Sequence, residues 1–345
     1  MIGLVKVAHG DPRLELRDVP LREPSEHEVV LRVAYAGVCG TDLHIRDDHF
    51  PSYPPVVLGH EFTGTVVGLG GSVDDRWLGA RVVCEPHAHA CHVCHLCRRG
   101  HPEICADKRS PGWGIDGGFA SHVVVPAWLL HRVPDALPDE VAVFAEPMAV
   151  TLTALRRGRL AAGDTVLVIG PGPVGLLAAL AARAAGAADV VVAARTDGPR
   201  SETARRLGFA TTHSADAAAY LSQRTEGRGA DLVLEGTGTA AGVDAAFAAV
   251  RRRGRIAAVG LSGSPSIDVR WDFATTRDVD LSFAMSSHYE AWDPALSILE
   301  RVASEVATLS TVYPLTDWSA AFAAVEQRAV IKAVIDPTGL VEGES

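Results

Sequence analysis

The chain has 345 residues, of which 48% are apolar and 21% charged, with a formal net charge of −10 at pH 7. This length predicts about two domains, and the composition is that of an ordinary globular protein. The negative charge repels phosphate backbones and argues against a nucleic-acid partner.

Neither the N-terminus nor the most apolar stretch predicts export or membrane insertion. The first residues are charged throughout and lack an apolar run of signal-peptide length, so we expect a cytoplasmic protein. Residues 165–182 are uncharged, but three glycines and two prolines interrupt them. A strand, a tight turn and a helix explain this stretch better than a transmembrane helix, and we expect no membrane partner.

The N-terminal part of the sequence is typical of short β-strands. Runs of β-branched residues bounded by Gly, Pro and Asp occur at residues 28–40, 62–70, 80–86 and 119–127. No helical periodicity is seen before about residue 140. This part of the chain is therefore predicted to be rich in β-structure.

From Asp164 onward, predicted strands and helices alternate. The strands are at residues 164–170, 189–194, 231–238 and 254–261, and the helices at 173–186, 201–208 and 241–254. Alternation predicts parallel pairing in a doubly wound sheet. After about residue 285 the pattern becomes mixed again. We predict a β-rich domain of residues 1–150 and 286–345, with an inserted α/β domain of residues 151–285.

Four cysteines, Cys91, Cys94, Cys97 and Cys105, form the pattern C-x2-C-x2-C-x7-C. Two-residue spacing lets successive thiolates turn toward one ion, and four thiolates suit tetrahedral zinc. Disulfides are disfavoured because the cytoplasm is reducing and a chain of this size builds a large core without them. An iron–sulfur cluster and a loop without metal are the alternatives. The histidines between the cysteines are interpreted as bystanders.

Three further motifs each offer potential metal ligands. They are "GVCGTDLH" with Cys39, "LGHEFTG" with His60 and Glu61, and "AEPMAV" with Glu146. None is decisive alone, because a lone cysteine is usually a core residue and a His-Glu pair usually lies on the surface. Their joint occurrence upstream of a nucleotide-binding loop favours a metal site.

A glycine-rich loop lies between the first predicted strand and helix of the α/β domain. Gly170, Gly172 and Gly175 form G-x-G-x-x-G around Pro173 and Val174. In this context the glycines permit a tight turn and let a pyrophosphate approach the N-terminus of the helix. The loop therefore predicts dinucleotide binding, to which we also assign residues at the ends of two later strands: Gly236, Thr237, Val259, Gly260 and Leu261.

The residue twenty positions beyond Gly175 distinguishes the two nicotinamide cofactors. An Asp or Glu there usually binds the ribose 2′-hydroxyl of NAD(H). This chain has Arg195, whose guanidinium suits a 2′-phosphate, with Thr196 as a hydroxyl donor and Arg200 as a second cation. We therefore favour NADP(H), although a shift of two residues gives Asp197 the role of the acid.

In combination these motifs resemble the zinc-dependent medium-chain dehydrogenase/reductase (alcohol dehydrogenase) superfamily. The four-cysteine motif, "GVCGTDLH", "GHE", "EPMAV" and "VLVIGPGPVG" occur in family order and at family spacing. The Glu-Pro at 146–147 and "SPGWGIDGGFA" at 110–120 look like the sorbitol or polyol dehydrogenase branch. The resemblance covers nearly the whole chain and implies an α/β fold, with a doubly wound Rossmann domain and a β-rich GroES-like catalytic domain carrying a structural zinc lobe.

The resemblance also implies roles for the metal ligands. Cys39 and His60 would bind a catalytic zinc, and Glu61 and Glu146 would complete its shell, one of them through water or from the second shell. This zinc would act as a Lewis acid on the substrate hydroxyl while hydride passes to the nicotinamide. The four-cysteine lobe would hold a second, structural zinc, which gives two ions per chain.

The implied reaction transfers a hydride between NADP(H) and a secondary alcohol or ketone of a polyol, sugar or cyclitol. Thr41 and His44 would carry the proton from substrate to solvent. Substrate contacts are expected from residues 43–55 and 284–292, which carry several acids and histidines. Family precedent implies a homo-oligomer, either a dimer or a tetramer, with a small-molecule alcohol or ketone as substrate.

Four alternatives compete with this reading. The first alternative is a dehydrogenase of the same class whose substrate would be an amino alcohol of the threonine or aminocyclitol type. A quinone or enone reductase of the superfamily would normally lack both zinc sites. A non-catalytic nucleotide-binding sensor would need a broken catalytic shell, and a zinc-ribbon nucleic-acid binder would need a basic charge.

Overall fold

The structure is a computed structural model that describes residues 1–340. The chain divides into two compact units. Within the described residues, unit one consists of Met1–Glu146 together with residues 288–340, and unit two consists of Pro147–Ser287. No helix in the described part of the chain is long and apolar enough to cross a membrane.

The N-terminal part of unit one contains eight strands and the first helices. The strands are β1 (Ile2–Lys6), β2 (Leu14–Asp18), β3 (Glu28–Gly37), β4 (Val56–Val57), β5 (Glu61–Leu69), β6 (Arg81–Cys84), β7 (His122–Pro126) and β8 (Leu130–Arg132). The helices are α1 (Gly40–Arg46), α2 (Asp139–Ala142) and α3 (Ala145–Arg157), the last of which continues into unit two.

Unit two contains a six-stranded parallel sheet in the order β11-β10-β9-β12-β13-β14. Its elements in chain order are β9 (Thr165–Ile169), α4 (Pro173–Ala184), β10 (Asp189–Ala194), α5 (Pro199–Arg206), β11 (Ala210–His213), α6 (Ala217–Arg224), β12 (Ala230–Glu235), α7 (Ala240–Ala249), β13 (Val250–Ala258), α8 (Trp271–Arg277) and β14 (Asp280–Phe283). Strands buried on both faces explain the continuous apolar runs of the sequence. The predicted doubly wound parallel sheet is confirmed.

The chain after unit two returns to unit one. It forms α9 (Trp292–Arg301), α10 (Ala303–Ala307), β15 (Ser310–Pro314), α11 (Trp318–Glu326) and β16 (Lys332–Asp336). Strand β16 pairs antiparallel with β3, and this extends a seven-stranded sheet in the order β15-β16-β3-β5-β6-β8, with β7 also paired to β3. A smaller sheet has the order β2-β1-β4. Both sheets contribute to one apolar core that includes Phe119 and Phe322.

Helix α1 was not anticipated from the sequence, which has no helical periodicity before about residue 140. With seven residues it is too short to display a repeat. Its N-cap is Cys39, whose backbone N–H donates to the Asp42 carboxylate at 2.8 Å. A carboxylate in this position satisfies one backbone donor at the helix N-terminus and so stabilises the first turn.

The prediction of a helix over residues 241–254 is wrong at its C-terminal end. Helix α7 ends at Ala249, and the arginine-rich segment that follows belongs to β13. Gly254 is buried there, and a Cβ on it would meet the Val250 side chain at 2.6 Å. Val250 pairs with Ala230 of β12, the register shifts over the arginines that follow, and pairing resumes with Arg255 opposite Leu232. Strand pairing on both sides of these arginines therefore overrides their helical preference.

Candidate active site

Three potential metal ligands come together in unit one. Within the described residues, one ligand atom from each of Cys39, His60 and Glu61 lies within 4.8 Å of the other two. Cys39 follows β3 and precedes α1, while Glu61 is the first residue of β5. Because β3 and β5 pair with Gly37 opposite Glu61, the end of one strand lies beside the start of the other. Strand pairing thus brings together motifs that are separate in the sequence.

A buried aspartate contacts two members of this group, Cys39 and His60. Asp42 is completely buried, and one of its carboxylate oxygens accepts the Cys39 N–H at 2.8 Å. Its other oxygen, Oδ1, lies 3.4 Å from Nδ1 of His60. A carboxylate beside one ring nitrogen fixes the orientation of the imidazole and leaves the other nitrogen for a metal.

A buried lysine contacts the third member of the group, Glu61. Lys332 on β16 forms an ion pair with the Glu61 carboxylate, and the side chains are only 2% and 1% exposed. A Cβ on Gly37 would contact that carboxylate and would lie 2.8 Å from Cε of Lys332. The absence of a side chain at position 37 therefore leaves space for the ion pair. Burial opposes the charge on the lysine, but Glu61 outweighs it and raises the pKa of Lys332.

Glu146 lies near these residues but is not a member of the three-residue group. It occupies the first turn of α3 and is 8% exposed. Burial, followed by repulsion from the Glu61 carboxylate, raises the pKa of Glu146 to about 7. Two carboxylates that share one buried region favour a bound cation or a proton.

The donor set fits a metal ion such as zinc. A thiol, an imidazole and a carboxylate at mutual distances below 4.8 Å are zinc's usual protein ligands. Burial opposes protonation of His60, but the Asp42 carboxylate and the Cys39 side chain outweigh it and raise the pKa of His60 well above its ordinary value. The surroundings therefore favour positive charge at this position, which a metal cation would supply.

The two residues predicted to carry a proton both lie on α1. The Thr41 hydroxyl is 3.6 Å from the Cys39 thiol, and Thr41 is partly buried. His44 is exposed, with its ring centroid 6.3 Å from that of His49. Residues three positions apart lie on the same side of a helix, so Thr41 and His44 lead from the buried group toward solvent.

The four cysteines of the predicted structural site also come together. Ligand atoms of Cys91, Cys94, Cys97 and Cys105 lie within 4.8 Å of one another. The Cys91 thiol accepts the Cys94 N–H at 3.3 Å, and the Cys94 thiol accepts the Cys97 N–H at 3.5 Å. Backbone N–H groups of Val93 and Cys94 lower the pKa of Cys91 to about 7, whereas burial and the neighbouring thiols raise the pKa of Cys97 to about 12. A thiolate is the form that binds metal, so this arrangement is suited to zinc.

The glycine-rich loop of unit two joins β9 to α4. Gly170 has a φ of +99°, and a Cβ on Gly175 would contact the Gly170 carbonyl oxygen. Pro173 and Val174 are the first residues of α4, and Gly172 is its N-cap. The loop therefore leaves the backbone N–H groups of the helix N-terminus open to a ligand.

The later residues assigned to the cofactor lie beside this loop. A Cβ on Gly170 would meet the Thr237 side chain at 2.7 Å, and a Cβ on Gly260 would contact backbone atoms of Thr237 and Gly238. The buried residue Glu235 contacts both segments. Its carboxylate accepts the backbone N–H groups of Thr237 at 2.8 Å and Gly238 at 3.0 Å, and its backbone carbonyl oxygen accepts the Val259 N–H at 2.9 Å.

The residues that follow β10 are mostly exposed. Arg195, Thr196 and Asp197 are exposed, whereas Arg200 is partly buried. Nη1 of Arg200 lies 3.8 Å from the position of a Cβ built on Gly172, so this guanidinium reaches the glycine-rich loop. Nη1 of Arg205 donates to Oδ1 of Asp197 at 3.1 Å.

The acids expected near the substrate are engaged in other contacts. Asp47 pairs with Arg46 at 2.7 Å, and Asp48 pairs with the buried amine of Lys6 at 3.0 Å. His288 lies 3.5 Å from the buried Glu103 carboxylate. These ion pairs hold the segments in place, which leaves the acids less available to a substrate.

Comparison with known proteins decides the family. Residues 25–135 match the alcohol dehydrogenase GroES-like domain, and residues 173–301 match the zinc-binding dehydrogenase domain. The chain is 33% identical to the sorbitol dehydrogenase of Halalkalibacterium halodurans, over 98% of this chain and 99% of the relative. The chain belongs to the zinc-dependent medium-chain alcohol dehydrogenase superfamily.

Further relatives agree with membership of this superfamily. An L-threonine 3-dehydrogenase of Anaeromyxobacter dehalogenans is 31% identical, over 97% of this chain and 99% of the relative. The solved structure of the alcohol dehydrogenase TADH from Thermus sp. ATN1 superposes with a TM-score of 0.88 at 29% identity, covering 97% of this chain and 99% of that one. The family, its polyol branch and its two-part fold are therefore confirmed.

Two buried residues of this alcohol dehydrogenase were missed by the sequence analysis. Asp42 lies inside the quoted motif "GVCGTDLH", but its side chain was assigned no role. Lys332 precedes the apolar run "AVI" in a strand, and a lysine is almost never fully buried without a partner. A lysine inside an apolar strand therefore indicates a buried partner, but the identity of that partner, Glu61, depends on strand pairing.

Proposed function

We propose that this dehydrogenase transfers a hydride between NADP(H) and a secondary alcohol or ketone of a polyol, sugar or cyclitol. The observation that carries the proposal is the group formed by Cys39, His60 and Glu61, with ligand atoms within 4.8 Å of one another. Similarity to a sorbitol dehydrogenase over 98% of the chain supports a polyhydroxylated substrate.

Cys39, His60 and Glu61 hold the catalytic zinc in this proposal, and Glu146 lies in the second shell. When bound, zinc supplies Lewis acidity that lowers the pKa of a substrate hydroxyl. Asp42 keeps the His60 ring oriented toward the ion, and Lys332 balances the charge of the Glu61 carboxylate. A second zinc is held by Cys91, Cys94, Cys97 and Cys105.

The proton released by the substrate leaves along α1. The Thr41 hydroxyl is partly buried beside Cys39, which makes it the group that accepts a proton within the site. His44 is exposed on the same side of the helix and would pass the proton to solvent.

NADP(H) is favoured over NAD(H) by the cations near the glycine-rich loop. The guanidinium of Arg200 reaches Gly172, and Arg195 is exposed directly after β10. Thr196 adds a hydroxyl donor. Asp197, the acid that would favour NAD(H), is already hydrogen-bonded to Arg205. The two arginines, together with an aspartate that is already hydrogen-bonded, support recognition of a 2′-phosphate.

A homo-oligomer, dimer or tetramer, is part of the proposal. Strand β14 is the last strand at one edge of the parallel sheet. Its Leu281 is 41% exposed and its Phe283 is 69% exposed. An uncovered edge strand with apolar side chains favours pairing with another chain, which supports association of identical copies.

An amino alcohol is the second candidate substrate. Similarity to an L-threonine 3-dehydrogenase at 31% identity favours it. Polyols and amino alcohols both present a secondary hydroxyl to the zinc, and they differ in the charge of the neighbouring substituent. A substrate panel therefore separates the two candidates.

The decisive experiment is a screen of polyols, cyclitols and amino alcohols with NADP⁺ and NAD⁺, followed by nicotinamide absorbance. We expect turnover of a polyol or cyclitol with NADP⁺, and loss of turnover in H60A. Faster turnover with NAD⁺ at equal concentration contradicts the cofactor preference. Cofactor binding without turnover of any substrate favours a sensor, and a protein free of zinc favours a reductase.

A further inference from the structure

Asp197 lies in a cluster of charged side chains at one end of the sheet in unit two. Nη1 of Arg205 donates to Oδ1 of Asp197 at 3.1 Å and also contacts the Thr211 hydroxyl at 3.2 Å. Nε2 of His213 lies 3.6 Å from the other carboxylate oxygen, Oδ2. Both oxygens of the carboxylate therefore already face a nitrogen of a basic side chain.

The fold explains why these residues meet. Strands β10 and β11 are parallel and pair with Ala194 opposite His213, so both strands end at the same edge. Asp197 follows β10, and Arg205 lies in the last turn of α5, the helix that connects the two strands. The acid, the arginine and the histidine are thus brought together by one βαβ unit.

We propose that Arg205 is a positioning residue that sets the preference for NADP(H) by holding and neutralising Asp197. This inference rests on the proposed function, in which Arg195 and Arg200 bind a 2′-phosphate. A free carboxylate three residues after β10 would repel that phosphate and would accept a hydrogen bond from the 2′-hydroxyl of NADH. The ion pair with Arg205 weakens both effects.

The expected size of the effect is modest because the residues are exposed. The side chains of Arg205 and Asp197 are 45% and 68% exposed. Exposed ion pairs of this kind change an equilibrium by about two- to fivefold. Loss of Arg205 should therefore lower the ratio of NADPH affinity to NADH affinity by about two- to fivefold, and the fold itself should be unaffected.

A direct contact of Arg205 with the phosphate would change the ratio in the same direction, so a double-variant test is needed. The proteins are wild type, R205Q, D197N and D197N/R205Q, and dissociation constants for NADPH and NADH are measured by fluorescence titration. R205Q should lower the affinity ratio in the wild-type background. In the D197N background the same change should leave the ratio unaltered, because no carboxylate remains to be released.

Arg224 provides a matched control. It forms an ion pair with Asp189 at 2.8 Å, and Asp189 is the first residue of β10, at the opposite end of the strand from Asp197. R224Q therefore removes the same charge from a similar pair in the same unit. The affinity ratio of R224Q should equal that of the wild type.

Two outcomes overturn the inference. An unchanged ratio in R205Q excludes any role for Arg205, and an equal fall in both backgrounds means that Arg205 contacts the cofactor itself. Failure of the proposed function is distinguishable, because it is seen in the wild type as tighter binding of NADH than of NADPH. In that case the effect of R205Q in the wild-type background, compared with its effect in the D197N background, still decides whether Arg205 acts through Asp197.

Discussion

Lys332 and Glu61 form an ion pair in the interior of unit one, and Gly37 leaves the space in which they meet. Removing one partner from a buried pair leaves an uncompensated charge and costs about 3–5 kcal/mol. We expect K332M to lower the free energy of unfolding of the metal-free protein by about this amount. Guanidinium denaturation followed by circular dichroism measures it.

The double variant E61Q/K332M tests the coupling between these two residues. Without either charge, the destabilisation should be smaller than in K332M alone, because no buried carboxylate is left unpaired. If the double variant is as unstable as the sum of E61Q and K332M, the two side chains are not coupled.

Asp42 should determine how tightly the catalytic metal is held. Its Oδ1 lies 3.4 Å from Nδ1 of His60, and residues that orient a metal-binding histidine typically contribute about 10- to 100-fold in affinity. We expect D42N to weaken zinc binding by that factor, measured by competition with a chromogenic chelator. D47N is the control, because Asp47 pairs with Arg46 at the end of the same helix. Equal zinc affinity of D42N and the wild type would contradict the assignment.

The four-cysteine group should hold a zinc of its own. We expect C94S to reduce the zinc content from about two ions to about one ion per chain, measured by plasma mass spectrometry. Cys84 is also a free cysteine, but it is buried and lies outside this group. C84A should therefore retain both ions, and a loss of zinc in both variants would point to general misfolding.

Gly175 should be intolerant of any side chain. A Cβ there would contact the Gly170 carbonyl oxygen and force α4 away from β9. Overpacking of this kind costs about 1–3 kcal/mol, so G175A should lower the stability of unit two and weaken NADPH binding. Thermal denaturation and fluorescence titration measure the two effects. A Cβ on Gly71 has no atom within 4 Å, and G71A should bind NADPH as the wild type does.

His131 should make stability depend on pH. Its Nε2 lies 3.0 Å from Glu85 and its Nδ1 lies 3.1 Å from Asp293, while its ring stacks on Trp292 and lies near the Tyr289 ring. Burial opposes protonation, but the two carboxylates outweigh it and raise the pKa of His131 above 6.5. The protonated ring therefore stabilises the folded state fully below pH 6.5, and this contribution is lost as the pH rises through the raised pKa.

Urea denaturation of wild type and H131Q across this range checks the sign. The free energy of unfolding of the wild type should exceed that of H131Q most at low pH, and this difference should shrink as the pH rises. His122 provides the opposite case, because burial and Arg32 lower its pKa below 6.5. Its contribution is present above pH 6.5 and lost as the pH falls through the lowered pKa, so H122Q should show the reverse trend. The same pH dependence of stability in H131Q and H122Q would contradict the opposite pKa shifts of the two histidines.

Local motifs were predictable from the sequence because their geometry depends on short spacings. Gly170, Gly172 and Gly175 lie within one turn, and the two-residue spacing of Cys91, Cys94 and Cys97 is sufficient to bring three thiols together. The alternation of strands and helices likewise predicted the parallel sheet. The residue roles assigned at these motifs, the domain limits and the cytoplasmic location stay predictions.

Long-range contacts explain what the sequence analysis missed. The role of Lys332 depends on the pairing of β16 with β3, which no periodicity reveals. Helix α1 is too short to show a repeat, and Asp42 gains its role only when His60 lies beside it. Residues 250–253 look helical but belong to β13, which pairs with β12 at Val250 and again from Arg255, because tertiary context overrides a weak local preference.

Strand β16 has a consequence for biosynthesis. Lys332 follows Glu61 by about 270 residues along the chain, and unit two is encoded between them without interruption. A nascent chain can therefore complete the parallel sheet while the Glu61 carboxylate still lacks its lysine. The buried ion pair beside Cys39 can form only after β16, the last strand of the described residues, has left the ribosome.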